Sequence, residues 1–436
     1  LQDFLPAWLD MSEDPWVHSV VRQGFRIQFS ERFPPLLAKP VYQSQYTDKI
    51  RRLALDQVII DYLSKGAISI LDYPPGPEFY SRVFLVPKRS GKWRMVIDLS
   101  SLNLFTKVEA FKMESVDSIR QSLKIGEWAA SIDLSDAYLH VPIHVSSQIF
   151  LRFAIGGKVY QCLALPFGLS ACCHRKGLRY HVYLDDSLCP AVTASACHSQ
   201  VQQIKTIMEN LGFLINIKKS EMIPAQQFTF LGVAFDLRNG LVSPAAHRLV
   251  TFQDLLRSLI GQTTATPRKL HRLLGHMESF SRILPGARAA KRELQLRLNQ
   301  LWDYLHWDQP LSLENWFLPT IQPWRDQDFL LQKSPLHQPH PTQSLYTDAC
   351  ETGWGAHLET LHVSGKWEPE MTGRHINFLE MEAVNRAVSA FSSQMLNQVT
   401  LLRTDNTTVA AYINKEGGGA HSQDLCRLSV SILRKV

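Results

Sequence analysis

The sequence predicts an α+β protein of several domains, and three observations carry that prediction. Apolar two-stranded text with glycine-bearing tips recurs through the first half. Helical text is interleaved with it and then takes over after Thr266-Pro267. A β-β-β-α-β-α order closes the chain, so strands and helices are intermixed as in an α+β layer. At 436 residues, with 45% hydrophobic and 10% aromatic residues, the chain is long and apolar enough to bury several cores.

Residues 1–35 place Trp8 and Trp16 among apolar residues without a clear period. Residues 46–65 then carry Ile50, Leu53, Leu55, Val58, Ile59 and Leu63 near helical spacing, which predicts one amphipathic helix. Pro74-Pro75-Gly76-Pro77 breaks the pattern. VFLVPKRSGKWRMVID (83–98) predicts a hairpin with a basic tip at Ser90-Gly91, and FLRFAIGGKVYQCLAL (150–165) a second one turning on Gly156-Gly157. Helical text over 196–211 precedes a third hairpin, FTFLGVAFDLRNGLVS (228–243), with its turn at Asn239-Gly240.

Thr266 is placed to cap a helix that opens on Pro267. Leu270, Leu273, Leu274, Met277, Phe280, Ile283 and Leu284 mark its apolar face. Arg268, Lys269, Arg272 and Arg282, followed by Arg288, Lys291, Arg292 and Arg297, load two successive helices with cations, which predicts a phosphate-facing surface. The proline-rich residues 334–342 read as a linker. Beyond them come strands near 345–350, 354–358 and 361–366, a helix over 378–391, a strand at 399–404 and a helix at 406–413.

Bulk numbers narrow the function classes. A net charge of +6 permits a nucleic-acid partner without demanding one. Seven cysteines without a CxxC pair fit a reducing, intracellular compartment, cytoplasm or nucleus, with free thiols and no zinc module. Adjacent Cys172 and Cys173 do not share a tetrahedral site easily, so Cys172-Cys173-His174 is not read as a metal centre. No apolar run reaches the roughly 18 residues of a membrane span, and no membrane partner is expected. The start at Leu1, without methionine, and the stop at Val436 are those expected of a segment of a longer product.

Paired carboxylates carry the chemistry. WAASIDLSDAYLHVPI (128–143) sets Asp133 at the end of an apolar strand, and YHVYLDDSL (180–188) sets Asp185 and Asp186 inside another. Side-by-side acids repel, and burying one without a partner is costly. Water at a turn tip, a cation or a bound metal would each relieve them. Two strands presenting carboxylates at one level would clamp two divalent ions, whose hard charge demands oxygen ligands. LYTDACETGWGAHL, NFLEMEAV and LLRTDNTTVAAYI repeat the theme with Asp348, Glu380 and Asp405. Each of these has an ordinary alternative, since Asn377 and Glu380 fit a capping box and Asp405 a helix N-cap.

Read in order, VPKRSGKWRMVIDLSSLN, SIDLSDAYLHVPI, LALPFGLS, YLDD, GFLINIKKS and FTFLGVAF resemble the consecutive blocks of a reverse transcriptase over residues 70–240. The wording of the blocks is most similar to DIRS-type retrotransposons, the group with a tyrosine recombinase. The resemblance implies a right-hand polymerase of fingers, palm and thumb followed by a ribonuclease H-like domain. It divides the chain into a lead-in segment (1–69), fingers and palm (70–240), helical thumb and connection (241–333), linker (334–342) and a C-terminally truncated ribonuclease H-like domain (343–436).

By that resemblance Asp133 and Asp185 are metal-binding aspartates, with Asp186 in support. Lys88, Lys92 and Arg94 hold the triphosphate, Tyr138 excludes the 2′-hydroxyl, and Phe167 and Gly168 floor the nucleotide pocket. Lys219, with Lys218 as the alternative, donates a proton to pyrophosphate, and Phe230, Leu231 and Gly232 grip the primer. Asp348, Glu380 and Asp405 are the metal-binding acids of the ribonuclease H. Two Mg²⁺ or Mn²⁺ ions per centre are implied. So are an RNA template, a DNA primer, an RNA–DNA hybrid and deoxynucleoside triphosphates; the oligomeric state is left open.

Two departures from the family stand out. Ser170 and Tyr183 are separated by residues 171–182, where the family places a long helix and a return loop. Twelve helical residues cover only about 18 Å, with nothing left for the return. The sequence also ends before the helix that carries the family's fourth ribonuclease H acid, so the activity of this copy is an open expectation.

Overall fold

The computed structural model describes residues 1–43, 46, 48–72, 76–87, 91, 93–107, 114–166, 179–418 and 422–435. The chain forms two compact units, one of Leu1–Ser115 with Glu127–Ala225 and one of Val116–Gly126 with Gln226–Val436.

In the first unit, an antiparallel sheet sets the strands Glu221–Ala225, Trp128–Asp133, Asp186–Ala191 and His181–Tyr183 side by side in that order. The helix Ala194–Asn210 covers it with Cys197, Val201, Ile204 and Met208, a buried stripe at helical spacing, against Ala130, Ile132 and Cys189. Thr193 caps this helix by accepting from the Ala196 amide. A second sheet carries the Gly156-Gly157 hairpin, with Ile155 opposite Lys158 and both glycines at positive φ. That pair of left-handed residues is what a two-residue hairpin turn requires. The hairpin Arg82–Pro87/Trp93–Asp98 forms as expected, with Pro87 opposite Trp93.

The helix read over 46–65 spans Lys49–Ser64, and four of its six expected apolar positions, Leu55, Val58, Ile59 and Leu63, pack on the core. Leu55 and Ile59 are buried, whereas Ile50 and Leu53 are exposed. Apolar residues surround much of this helix, so periodicity alone did not separate those two from the side that packs.

The second unit begins with the strands Gln227–Phe230, Val233–Asp236 and Leu241–Pro244, extended by Ser334–Pro335. Part of the expected linker is therefore paired: Ser334 is buried and its hydroxyl donates to the Ile283 carbonyl. The compact units also cut the chain at Gln226 rather than at 240, because this hairpin ladder belongs with the helices that follow it. Thr266 caps the helix Pro267–Phe280, and all seven expected apolar positions from Leu270 to Leu284 are buried. Phe252, Phe280 and Trp324 meet edge-on or tilted at the centre of that core.

Several cations of these helices are paired within the chain. Arg268 forks onto Asp308 at 2.7 and 2.8 Å, Arg282 pairs with Asp117 at 2.6 Å, and buried Lys291 pairs with Glu278. Arg292 donates to the Glu416 and Lys415 carbonyls. Several of these cations thus have partners within the chain, although Arg268 and Arg282 stay exposed, because sequence shows a charge but not its partner.

The chain ends in a sheet ordered Leu361–Lys366, Gly353–Leu358, Gln343–Ala349, Thr400–Arg403. The last strand runs parallel to Gln343–Ala349 and the others antiparallel. The helices Ile376–Ala390, Thr407–Asn414 and Gln423–Leu433 bury Met381, Val384, Val388, Val409 and Cys426 with it.

Candidate active site

Asp133 ends its strand directly opposite Asp186, and the buried Ile132 and Ala130 behind it fix which face it takes. Asp186 also pairs with Tyr183, so Leu184 and Asp185 form a two-residue turn, with Leu184 at φ 57°. The Leu134 amide donates to the Asp185 carbonyl at 2.9 Å, tying that turn to the end of the Asp133 strand. The three acids of the palm sheet are thereby gathered at one edge. Like charges directly across a ladder repel. Burial, together with Asp185 and Asp133, pushes the Asp186 carboxyl up to about 6. One buried oxygen of Asp133, Oδ1, has no hydrogen-bond partner.

Lys219 answers part of that charge. Its Nζ lies 3.4 Å from Asp133 Oδ2, and of the neighbouring lysines it is this one that reaches the acid. The Asn216 amide donates to the Asp133 carbonyl at 2.8 Å, and the Asp133 amide donates to Ser220 Oγ at 3.0 Å. Asn216 and Ser220 bracket Lys219, a role that sequence reasoning missed. Their spacing in NIKKS was the available signal.

Asp185 and Lys219 line a cavity together with Arg94, Tyr138, Asp136 and Tyr62. Tyr138 stands on a short 3-10 turn, Ala137–His140, launched by Asp136 at φ 47°. Burial and then Asp185 hold its phenol above the ordinary range, so it is a neutral wall. Asp136, which the motif reading did not assign, pairs with Lys65 at 2.9 Å. Lys88, Lys92, Phe167 and Gly168 lie outside the described residues, as do the residues of the Cys172-Cys173-His174 stretch.

In the second unit, Phe230 faces Val233 across a two-residue turn made by Leu231 and Gly232, at φ 50° and 78°. Glycine suits that positive φ, and the end of the Arg248 side chain lies where a Cβ would be. Asn239-Gly240 closes the next hairpin as part of a longer loop, from Asp236 to Leu241. The Asp236 carboxylate accepts from the Asn239 amide and side chain.

Asp348, Glu380 and Asp405 converge more tightly: one ligand oxygen of each lies within 4.8 Å of the others. Asp348 is on the strand Gln343–Ala349, Glu380 on the helix Ile376–Ala390, and Asp405 follows the strand Thr400–Arg403. The ordinary alternatives for these acids fail. His375, not Asn377, caps the first helix by accepting from the Asn377 amide. Asn406, not Asp405, caps the next, accepting from Thr408 and Val409. Asn377 is instead bonded to Asn406 at 2.9 Å, holding the two helix starts together. Glu380 is 5% exposed, and its Oε2 is buried without a partner. Burial, with Asp348 and Asp405, pushes it up to about 7.

Orphaned carboxylate oxygens at both centres, surrounded by further carboxylates, form the donor set that hard divalent cations take.

No family model matches the chain. It is 26% identical over 356 residues to the enzymatic polyprotein of Carnation etched ring virus, covering 75% of this chain and 51% of that one. It is 23% identical to the enzymatic polyprotein of Cauliflower mosaic virus (strain Strasbourg), covering 92% of this chain and 60% of that one. The Pro-Pol polyprotein of Simian foamy virus type 1 is 27% identical over 203 residues, 44% of this chain and 17% of the relative. The chain thus spans about half to three-fifths of the length of the enzymatic polyproteins it matches. Among solved structures, the foamy viral protease-reverse transcriptase in complex with RNA/DNA hybrid superposes with a TM-score of 0.57 at 14% identity, over 98% of this chain and 61% of that one. The same protein in complex with dsDNA gives a TM-score of 0.56 at 15% identity, over 95% of this chain and 90% of that one. The fold is therefore the expected α+β one, a right-hand polymerase with a ribonuclease H-like domain.

Proposed function

We propose that this chain is the RNA-directed DNA polymerase segment of a retrotransposon polyprotein with an attached ribonuclease H domain. The observation that carries this reading is the pairing of Asp133 with Asp186, beside Asp185 on a cavity that also holds Arg94, Tyr138 and Lys219. The viral polyprotein relatives and the foamy viral fold support it.

Asp133 and Asp185 would hold two Mg²⁺ or Mn²⁺ ions, with Asp186 in support; such ions activate the primer 3′-hydroxyl and neutralise the leaving pyrophosphate. Arg94 binds the triphosphate of the incoming deoxynucleotide by charge-assisted hydrogen bonds. Tyr138 occupies the space a 2′-hydroxyl needs. Lys219 holds the proton that the leaving pyrophosphate takes up. The hairpin at Phe230, Leu231 and Gly232 bears on the DNA primer, opposite an RNA template. Asp348, Glu380 and Asp405 would hold the ions of the second centre, where water attacks the RNA strand of an RNA–DNA hybrid.

The five described cysteines, Cys162, Cys189, Cys197, Cys350 and Cys426, are free thiols, which supports a reducing, intracellular setting. The DIRS-type assignment rests on the wording of the motif blocks, and a tyrosine recombinase in the flanking coding sequence is its test.

A second reading, a decayed or co-opted copy that binds nucleic acid without catalysis, is favoured by the short spacer 171–182 before YLDD. Primer extension on a homopolymer RNA template with Mg²⁺ separates the two. Extension supports the polymerase; hybrid binding without extension leaves the binding reading.

A further inference from the structure

We propose that His140 is a positioning residue whose neutral ring locks the loop carrying Lys219 against the strand of Asp133. This inference rests on the polymerase reading for its effect on nucleotide addition, but the lock itself is a property of the fold.

The ring is bonded at both nitrogens. The Leu214 amide donates to Nε2 at 3.0 Å, and Nδ1 faces the Ala137 carbonyl at 3.2 Å. A backbone amide only donates, so Nε2 must be the bare nitrogen and Nδ1 carries the proton. The ring is therefore neutral and in one tautomer. A protonated imidazole presents N–H at both positions and would set a donor against the Leu214 amide.

That bond sits at the root of the Lys219 loop. From Leu214 the chain continues as a second strap on the catalytic strand: the Ser135 amide donates to the Leu214 carbonyl at 2.8 Å, and the Asn216 amide to the Asp133 carbonyl at 2.8 Å. Lys219 follows, its amide donating to the Asn216 carbonyl at 3.1 Å. His140 belongs to the same turn as Tyr138. One imidazole thus joins the turn that walls the nucleotide cavity to the loop that brings the lysine.

The N-terminal helices, which the motif reading left without a role, grip the loop from its other side. Trp8 Nε1 donates to the Leu211 carbonyl at 2.9 Å. Phe213 lies edge-on between the Trp8 ring at 5.9 Å and the His140 ring at 5.5 Å. At Gly212, φ 85°, a Cβ would strike the Phe4 ring. The loop is clasped by aromatic packing, and His140 supplies the side-chain acceptor for the Leu214 amide within that clasp.

The charged side chain facing the ring is Asp136, itself paired with Lys65. Residues 211–215 carry no titratable side chain. Burial pulls the ring below the ordinary histidine range, with the Ala137 bond and Asp136 opposing. The neutral lock is present at neutral pH and is lost as the pH falls through the folded-state value.

The test is amide hydrogen exchange of residues 211–220 in the full chain, from pH about 8 down to about 5, across the ordinary histidine pKa. Wild type is compared with His140→Gln, whose carbonyl accepts without titrating, and with His140→Leu, which accepts nothing. The expected result is protection lost on acidification in wild type, retained in His140→Gln and weak throughout in His140→Leu. In single-nucleotide extension, His140→Leu is expected to lower kcat about tenfold, as for residues that orient catalytic groups, with KM for the nucleotide unchanged. Adding it to Lys219→Ala is expected to bring no further loss. Equal pH dependence in wild type and His140→Gln, or full protection in His140→Leu, overturns the proposal. Protection that responds as expected in a protein that extends no primer supports the lock and overturns the polymerase reading.

Discussion

The two acidic centres solve the same electrostatic problem in different ways. In the palm, three aspartates come from adjacent strands of one sheet and a lysine of the chain reaches one of them. At the C-terminal centre the acids come from a strand, a helix and the approach to another helix. Among the described residues, no lysine or arginine pairs with them, and no other trio of His, Cys, Asp and Glu side chains brings its ligand atoms so close. Both centres hold a carboxyl pushed well above its ordinary value, Asp186 to about 6 and Glu380 to about 7. The palm is partly neutralised in advance, while the C-terminal centre leaves its charge for something outside the chain to balance.

The largest expected effect separates the centres outright. Asp185→Asn should lower primer extension by about a thousandfold, the scale of removing a group that stabilises transition-state charge. Cleavage of the RNA strand in a preformed hybrid should be unchanged. Next, Lys219→Ala should cost about a hundredfold in extension, the range of a general acid.

Glu380 offers a stability test. Its carboxyl titrates at about 7 in the folded protein against an ordinary 4.5, so it resists ionisation on folding. A raised folded-state value means that its stabilising contribution is complete below the unfolded value and is lost as pH rises through the folded one. Without divalent ions the chain should therefore become less heat-stable as pH climbs from about 4.5 to above 7. Glu380→Gln should be more stable at the upper end and lack that slope in thermal melts. Mg²⁺ should restore stability to wild type more than to the variant. The smallest effect is Asn406→Ala, which should cost about 1 kcal/mol as a lost N-cap. It should leave extension unchanged, because Asn406 caps the helix that Asp405 precedes.

What was readable in the sequence was set by local chemistry. Thr266-Pro267, Gly156-Gly157 and the buried face from Leu270 to Leu284 were legible because capping, turn geometry and helical period are properties of short segments. The acids were legible as a set because the motif blocks fall in order. The caps at His375 and Asn406 were misplaced because either neighbour has the right side chain, and backbone angles decide between them. The turn at Leu231 was hidden because leucine at positive φ is rare. Ile50 and Leu53 were assigned to a core they do not enter, and the intrachain partners of Arg282 and Lys291 were not foreseen, because packing partners are chosen by tertiary structure. His140 was out of reach for the same reason: its partner Leu214 lies far along the chain and donates only through its backbone.

The central claim is that one chain holds two separate two-metal centres, the first of which makes DNA. It is tested most directly by assaying one Mg²⁺-containing preparation for primer extension on an RNA template and for hybrid cleavage, in wild type, Asp185→Asn and Glu380→Gln. The account predicts that wild type does both, Asp185→Asn only cleaves, and Glu380→Gln only extends. A wild-type chain that binds the hybrid yet extends no primer, or an Asp185→Asn variant that extends as well as wild type, would contradict it.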